Sequence, residues 1–250
     1  MPPESSSLPA LRQRFSGFES AASPQRFALG VERLDAALGG GLARGRLHEL
    51  WAAMPDDQGS AAGFALMLAL RAGGRDGNIV WIAQEKDERR CGRIHPPGLA
   101  ELGADPARLL FVVAPDEKAL LRAAADVVRS PAAGTAVIAP AGGASALDLT
   151  ASRRLTLFAE RSGVTAILLR PADPATPSAA TTRWQVAAAP SAPLEADAPG
   201  HPAFAADLLR QRGGAPSPGW RLEWQREAAT FAPLSGDPPA DAGRGFLATG

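Results

Sequence analysis

Residues 52–63 stand where an α/β protein carries its phosphate-binding loop, directly after an apolar run expected to form a strand. A loop that binds nucleoside triphosphates has the pattern G-x-x-x-x-G-K-[ST]. Its amides hold phosphate oxygens, its lysine neutralises charge and its hydroxyl helps to hold Mg²⁺. If Gly59 is the second glycine of this pattern, Met54 stands at the first, Ser60 at the lysine and Ala61 at the hydroxyl. The segment therefore lacks the side chains needed to hydrolyse a triphosphate.

Acidic side chains make the same loop unfavourable for an anion. Asp56 and Asp57 put negative charge where phosphate oxygens would lie, and each such pair costs about 1–4 kcal/mol at ~4 Å. The only lysines, Lys86 and Lys118, belong to other predicted elements. We therefore expect no bound cofactor, and specifically no ATP. In the alternative, backbone amides around Gly59 bind a nucleotide without a lysine. The vestigial phosphate loop comprises Asp56, Asp57, Gln58, Gly59 and Ser60.

Metal and thiol chemistry have no residues at suitable spacing. Cys91 is the single cysteine, so neither an intrachain disulfide nor a multi-cysteine zinc site can form. The three histidines, at positions 48, 95 and 201, are scattered without the spacing of metal ligands. The sequence therefore predicts no metal site.

Length and charge limit the class of protein. The chain has 250 residues, with 26 Lys+Arg against 26 Asp+Glu, and this net charge of zero argues against a strongly basic nucleic-acid coat. Apolar residues make up 46 %, enough for a sizeable core. The first residues carry no apolar signal segment, and the apolar stretch 61–70 is too short to cross a bilayer. We therefore expect a cytoplasmic protein with no membrane partner.

Short apolar runs alternate with helical patterns along most of the chain. Strands are predicted at 46–51, 78–83, 109–113, 135–139 and 165–169, and helices at 31–38, 63–71, 116–129 and 147–161. Strands without helices follow, at 183–188, 204–210 and 220–224. This order predicts an α/β fold with a mostly parallel sheet and antiparallel C-terminal strands. We assign 30–231 to this core, 1–29 to an N-terminal segment with a short helix, and 232–250 to a disordered tail.

An apolar stripe in the N-terminal segment is the first candidate for partner contact. Leu8, Leu11 and Phe15 recur at i, i+3 and i+7, so a helix would present them on one face. Such a stripe suits the groove of a partner. The alternative is that it packs on the chain's own core.

Arginine and tryptophan near the C-terminus are the second candidate. Arg210 and Arg212 precede Trp220 and Trp224, and these residue types are common at protein interfaces. The alternative is that the tryptophans are core residues of a terminal hairpin that turns at 213–214. Their spacing of four places both on one face of a strand.

Several segments, in order, resemble the ImuA family. They are 147–155, 159–170, 182–191, 207–214 and 220–224. Upstream, residues 34–50 resemble the start of the RecA-type ATPase core, where a helix, a glycine cluster and a strand lead into the phosphate loop. The resemblance spans residues 8–225.

The resemblance implies a RecA-like P-loop NTPase core with a degenerate phosphate loop and a non-catalytic accessory role in the SOS response. It implies binding to an ImuB-like inactive relative of Y-family polymerases, action with an error-prone replicative-type polymerase through that relative, and RecA as a further partner. We expect an adaptor of translesion DNA synthesis in damage-induced mutagenesis. Two alternatives stay open: a nucleotide-binding switch or weak ATPase of the RecA superfamily, and a SulA-like inhibitor of cell division.

Two further sites follow from the same resemblance. Glu85 matches the acid that activates water in RecA recombinases, although the strand predicted at 135–139 ends in proline rather than in a second acid. Residues 170–183 correspond to the second DNA-binding loop of RecA-like proteins. A mobile loop with no binding role is the alternative, because nothing basic lies between its flanking arginines. The candidate DNA contacts are Arg170, Ser178, Thr181 and Arg183.

Overall fold

The computed structural model describes residues 24–73, 77–86, 89, 95–142, 147–170 and 176–235, apart from the side chain of Asp197. Its strands are β1 (Arg26–Phe27), β2 (Leu42–Ala43), β3 (Leu47–Ala52), β4 (Ile79–Gln84), β5 (Leu109–Ala114), β6 (Thr135–Ala139), β7 (Thr165–Arg170), β8 (Thr182–Ala188), β9 (Ala203–Gln211), β10 (Ser217–Gln225) and β11 (Thr230–Pro233). The α-helices that lie wholly inside these ranges are α1 (Glu32–Ala37), α2 (Gln58–Gly73), α3 (Pro96–Glu101), α4 (Glu117–Arg129) and α5 (Leu149–Ser162).

Nine of the described strands form one sheet in the order β5-β4-β6-β7-β3-β8-β9-β10-β11. The neighbours from β5 to β8 run parallel. The neighbours from β8 to β11 run antiparallel. This arrangement confirms the predicted α/β class, with a mostly parallel sheet and antiparallel C-terminal strands.

Helices cover both faces of the parallel part of the sheet. On one face, Phe64 of α2 packs in the same apolar cluster as Leu50 of β3. On the other face, Leu120 of α4 and Leu155 of α5 share a cluster with Leu47 of β3. Strands buried on both faces are selected for continuous apolar sequence, which is why their runs were visible in the sequence.

The predicted helix at 31–38 is confirmed as α1, and three glycines follow its last turn. Leu34 and Leu38 are buried on the face that α1 turns to the core. The glycines at 39–41 have φ values of 72°, 101° and 103°, a backbone region that favours glycine. At Gly41 a Cβ would lie 2.2 Å from the carbonyl oxygen of Phe27, so this position has no room for a side chain.

Aspartates define where two of the helices begin. Asp116 accepts a hydrogen bond from the amide of Ala119 and caps α4, and Asp148 does the same for α5 through the amide of Ala151. The helix predicted from residue 147 therefore starts at 149. The helix predicted from residue 63 starts earlier, at Gln58, because a 3₁₀ turn over 55–57 leads straight into it.

Both ends of the described chain pack more closely on the core than the sequence suggested. Phe27 and Leu29, assigned to the N-terminal segment, are buried in the core. Phe231 in β11 is fully buried, and the strand runs to Pro233, two residues into the segment assigned to the tail. Residues 1–23 and 236–250 lie outside the described part. Within the described part, no helix combines the length and apolar character needed to cross a membrane.

Candidate functional site

The vestigial phosphate loop is a tight turn between β3 and α2. Ala53 donates its amide hydrogen to the carbonyl oxygen of Val186, and Asp57 donates its own to that of Met54. Pro55 has no amide hydrogen, and it opens the 3₁₀ turn that continues into α2. The amides of Ala53 and Asp57 are therefore bonded within the chain, and Pro55 supplies none.

The carboxylate of Asp57 binds backbone amides at this turn. Its Oδ2 accepts a hydrogen bond from Met54 at 3.1 Å, and its Oδ1 accepts one from Ala188 at the end of β8 at 2.8 Å. The side chain thus joins the loop after β3 to the neighbouring strand. An incoming anion would have to displace this carboxylate and would also meet the exposed side chain of Asp56.

Glu85 lies just beyond the carboxyl end of β4. Its side chain is half exposed, and its Oε1 pairs with the guanidinium of Arg89 at 2.5 Å. Strands β6 and β7 separate β4 from β3, which places the two strand axes about 14 Å apart at ~4.8 Å per strand. Glu85 and the vestigial loop thus both lie at the carboxyl ends of the parallel strands. The recorded partner of Glu85 there is an exposed arginine, Arg89.

A buried carboxylate that the sequence did not single out lies within β3. Glu49 of β3 has no solvent exposure. Its Oε1 accepts a hydrogen bond from Ser178 at 2.6 Å and lies 4.0 Å from Arg170, and its Oε2 lies 3.4 Å from Arg183. Burial raises the pKa of Glu49, while the serine hydroxyl and the nearby guanidinium groups oppose that rise.

Trp51 supports the cations of this cluster. The guanidinium of Arg183 lies 4.5 Å from the centre of the indole ring, and that of Arg170 lies 5.9 Å away. Arg170 also donates to the carbonyl oxygen of Leu147 at 2.6 Å, and Arg183 donates to that of Thr176 at 2.8 Å. The cluster therefore links three strands to the segments that precede α5 and β8.

Two of the four candidate DNA contacts are buried. Arg170 and Ser178 are buried at 7 % and 6 % exposure, and both reach Glu49. Arg183 and Thr181 are half-buried. The expectation that an exposed loop presents these four side chains to phosphates is thus wrong for Arg170 and Ser178, because a buried carboxylate attracts them. Residues 171–175 lie outside the described part.

The C-terminal partner candidates separate into surface and core. Arg210 and Arg212 are exposed, and they donate to the carbonyl oxygens of Ser178 and Ala179 at 2.9 Å and 2.8 Å. Trp224 is fully buried, with its ring 5.0 Å from that of Phe231. Its burial excludes it from an exposed partner surface and agrees with the core alternative.

The remaining candidates for partner contact are Trp220 and the N-terminal apolar stripe. Trp220 is half-buried and packs at the margin of the core, so part of its ring stays accessible. The hairpin turn at 213–214 joins β9 to β10 as predicted. Leu8, Leu11 and Phe15 lie outside the described residues.

His48 is a second buried group that the sequence did not single out. Its Nε2 lies 2.9 Å from the carbonyl oxygen of Ala43, which only accepts, so Nε2 carries the proton. Its Nδ1 then accepts from the hydroxyl of Thr182 at 2.8 Å, and that oxygen accepts from Trp184. Burial lowers the pKa of His48 to about 4. Only strand pairing across β3 and β8 brings Thr182 to His48, and no local sequence pattern indicates that contact.

No protein-family model matches the chain, whereas individual proteins do. Protein ImuA of Caulobacter vibrioides is 37 % identical over 199 residues, which cover 74 % of this chain and 77 % of the relative. The same protein from a second strain of that species matches equally well.

Proposed function

The chain belongs to the ImuA family, and from this premise we propose that it is a non-catalytic adaptor in damage-induced (SOS) mutagenesis. In this role it binds an ImuB-like inactive relative of Y-family polymerases and so supports error-prone translesion DNA synthesis. A replicative-type polymerase joins through that relative, and RecA is a further partner. Direct contact with DNA is not required for this role.

The strand order supports a RecA-like core. β3 lies inside the parallel part of the sheet, between β7 and β8, and the vestigial loop and α2 follow it directly. Ligand sites of α/β folds form at the carboxyl ends of such parallel strands. The loop thus lies where such folds form nucleotide sites, but its two aspartates and its lack of a lysine do not suit a nucleotide.

The observation that carries the non-catalytic assignment is the carboxylate of Asp57 on the amides of Met54 and Ala188. A side chain of the loop itself satisfies donors that a nucleotide-binding loop leaves for phosphate. No lysine of the sequence falls in this loop to offset the acidic charge. These features support an ATPase core that has lost its substrate and kept its scaffold.

Affinity purification of the tagged chain, from cells before and after DNA damage, tests the adaptor role. Mass spectrometry should recover an inactive Y-family relative, with or without RecA. A double variant, Arg210→Ala with Arg212→Ala, should weaken this recovery, while Arg122→Ala, an exposed arginine of α4, serves as the matched control. A preparation free of partners under both conditions would contradict the proposal.

Equilibrium dialysis with labelled ATP tests the non-catalytic assignment separately. We expect no binding at millimolar nucleotide and no hydrolysis. Binding or hydrolysis that is lost in Glu85→Ala would favour the nucleotide-switch alternative instead.

A further inference from the structure

The two edges of the nine-stranded sheet differ in how they are protected. β11 is four residues long and ends in proline, and the amide of Phe231 donates to the carbonyl oxygen of Leu29, so the segment before α1 lies against this strand. Short length, proline and a covering segment are common protections of a sheet edge. The β11 edge is therefore closed to further strands.

β5 forms the other edge and has none of these protections. It pairs with β4 over all six residues without a bulge, and within the described part of the chain no strand pairs with its other side. Its sequence is Leu-Leu-Phe-Val-Val-Ala, without charge or proline. Leu110, Phe111 and Val113 are 60 %, 38 % and 45 % exposed.

A regular strand with apolar exposed residues has both requirements for adding another strand. In a parallel pair, alternate residues direct their amide hydrogen and carbonyl oxygen away from the partner, so β5 offers a row of hydrogen-bonding groups at its open edge. Natural sheets rarely leave such an edge both apolar and open. An occupant of β5 would bury the exposed side chains and satisfy these backbone groups together.

We infer that the occupant is a second copy of this chain, with β5 pairing antiparallel with the partner's β5 about a two-fold axis at Val112. In this register Phe111 faces the partner's Val113, and the symmetry repeats the contact. Aromatic and β-branched residues form favourable cross-strand pairs. Leu110 faces the partner's Ala114, so apolar residues oppose apolar residues along the whole strand.

Charge at the two ends of β5 favours the same register. Arg108, whose guanidinium also donates to the carbonyl oxygen of Gly77, precedes the strand, and Asp116, which caps α4, follows it. The two-fold axis places each of these two residues opposite the other in the partner. A two-fold contact brings one patch against itself, so it requires a patch that complements itself. The β5 edge meets this requirement with an uncharged centre and ends of opposite sign. The pairing would hold whether or not the chain acts as an adaptor.

Sedimentation velocity over a concentration series tests the inference with the full chain. The unchanged protein should dimerise, and Phe111→Lys or Val113→Lys should raise the dissociation constant at least about tenfold, because a lysine on an edge strand opposes strand addition. Leu157→Lys is the matched control. Leu157 is 50 % exposed on α5, a helix that packs on β3 and β7 rather than on β5. Circular dichroism and thermal melting verify that each variant folds.

A cysteine scan tests the register. In a Cys91→Ser background, Val112→Cys should form a disulfide between copies, because the two-fold axis places this residue opposite itself. Leu110→Cys should not, because its counterpart in the partner lies four positions away along the strand. Absence of the disulfide in Val112→Cys would overturn this register.

Three other outcomes would overturn the inference itself. One is a protein that stays monomeric at every concentration. Another is a dimer that the β5 lysine variants leave intact. The third is a dimer lost in Leu11→Lys with Phe15→Lys but kept in the β5 variants, which would assign the contact to the N-terminal segment.

Discussion

Glu49 and Asp57 are carboxylates on either side of the carboxyl end of β3, and their surroundings differ. Asp57 accepts hydrogen bonds from backbone amides at the surface, where water can replace a lost partner. Glu49 has no exposure and faces two guanidinium groups that are themselves largely buried. The turn after β3 is therefore held by a carboxylate at the surface, while the interior beside it contains a network in which each charge depends on the others.

Removal of the buried carboxylate should give the largest effect. Glu49→Leu leaves the side chains of Arg170 and Arg183, which are 4 % and 12 % exposed, without their anion. We expect a loss of about 3–5 kcal/mol in the free energy of unfolding, measured by urea denaturation. A triple variant that also carries Arg170→Met and Arg183→Met should recover much of the loss. A single variant as stable as the unchanged protein would show that the cluster is not coupled.

Acid should destabilise the buried region through His48. The pKa of His48 is about 4 in the folded chain, against an ordinary value of 6.5 for histidine. Between these two pH values the unfolded chain therefore binds a proton that the folded chain does not. Folding stability should therefore fall as the pH drops from 6.5 to 4, by about 3 kcal/mol from this group. Urea denaturation of His48→Gln at both pH values should show a smaller fall. His95→Gln, at an exposed position, should behave like the unchanged protein.

The surface carboxylate should contribute less. Asp57→Ala removes the acceptor for Met54 and Ala188, and we expect a loss of about 1 kcal/mol, as for a helix cap. Asp56→Ala, its exposed neighbour, is the control and should change the free energy of unfolding by less than about 0.5 kcal/mol. Equal effects of the two alanine variants would show that the bridge to β8 does not stabilise the turn.

The exposed pair at the end of β4 should give the smallest effect. Glu85→Gln removes the ion pair with Arg89, and both side chains are about half exposed or more. We expect a loss below about 0.5 kcal/mol in urea denaturation, since exposed pairs at i, i+4 contribute little. A loss as large as that of Glu49→Leu would erase the contrast between surface and interior.

The sequence predicted the regular part of the fold well for a physical reason. β4, β6 and β7 are buried between helices, so each is a continuous apolar run with clear ends. The start of α2 was misplaced because its first turn holds polar and small residues. The end of β11 was missed because Ala232 and Pro233 have a composition typical of tails, although Phe231 beside them is a core residue.

In the candidate site, too, local features could be predicted from the sequence, whereas long-range contacts could not. The departure of residues 54–61 from the phosphate-loop pattern was visible because that local motif has a fixed spacing. Glu49 and His48 were invisible because their partners, Ser178 and Thr182, lie more than a hundred residues away and meet them only through strand pairing. A charged residue inside an apolar strand is the one local signal that would have pointed to Glu49.

The arginines that hold residues 176–179 have a consequence for amide hydrogen exchange. Arg183 of β8, Arg210 of β9 and Arg212 beyond it donate to the carbonyl oxygens of Thr176, Ser178 and Ala179. Opening of this segment requires those contacts to break, and the amide of Ala179 must also leave the hydroxyl of Ser152 in α5. The amide of Ala179 should therefore exchange only when the segment separates from both β9 and α5, and not at the rate of β7, which precedes the segment in the chain.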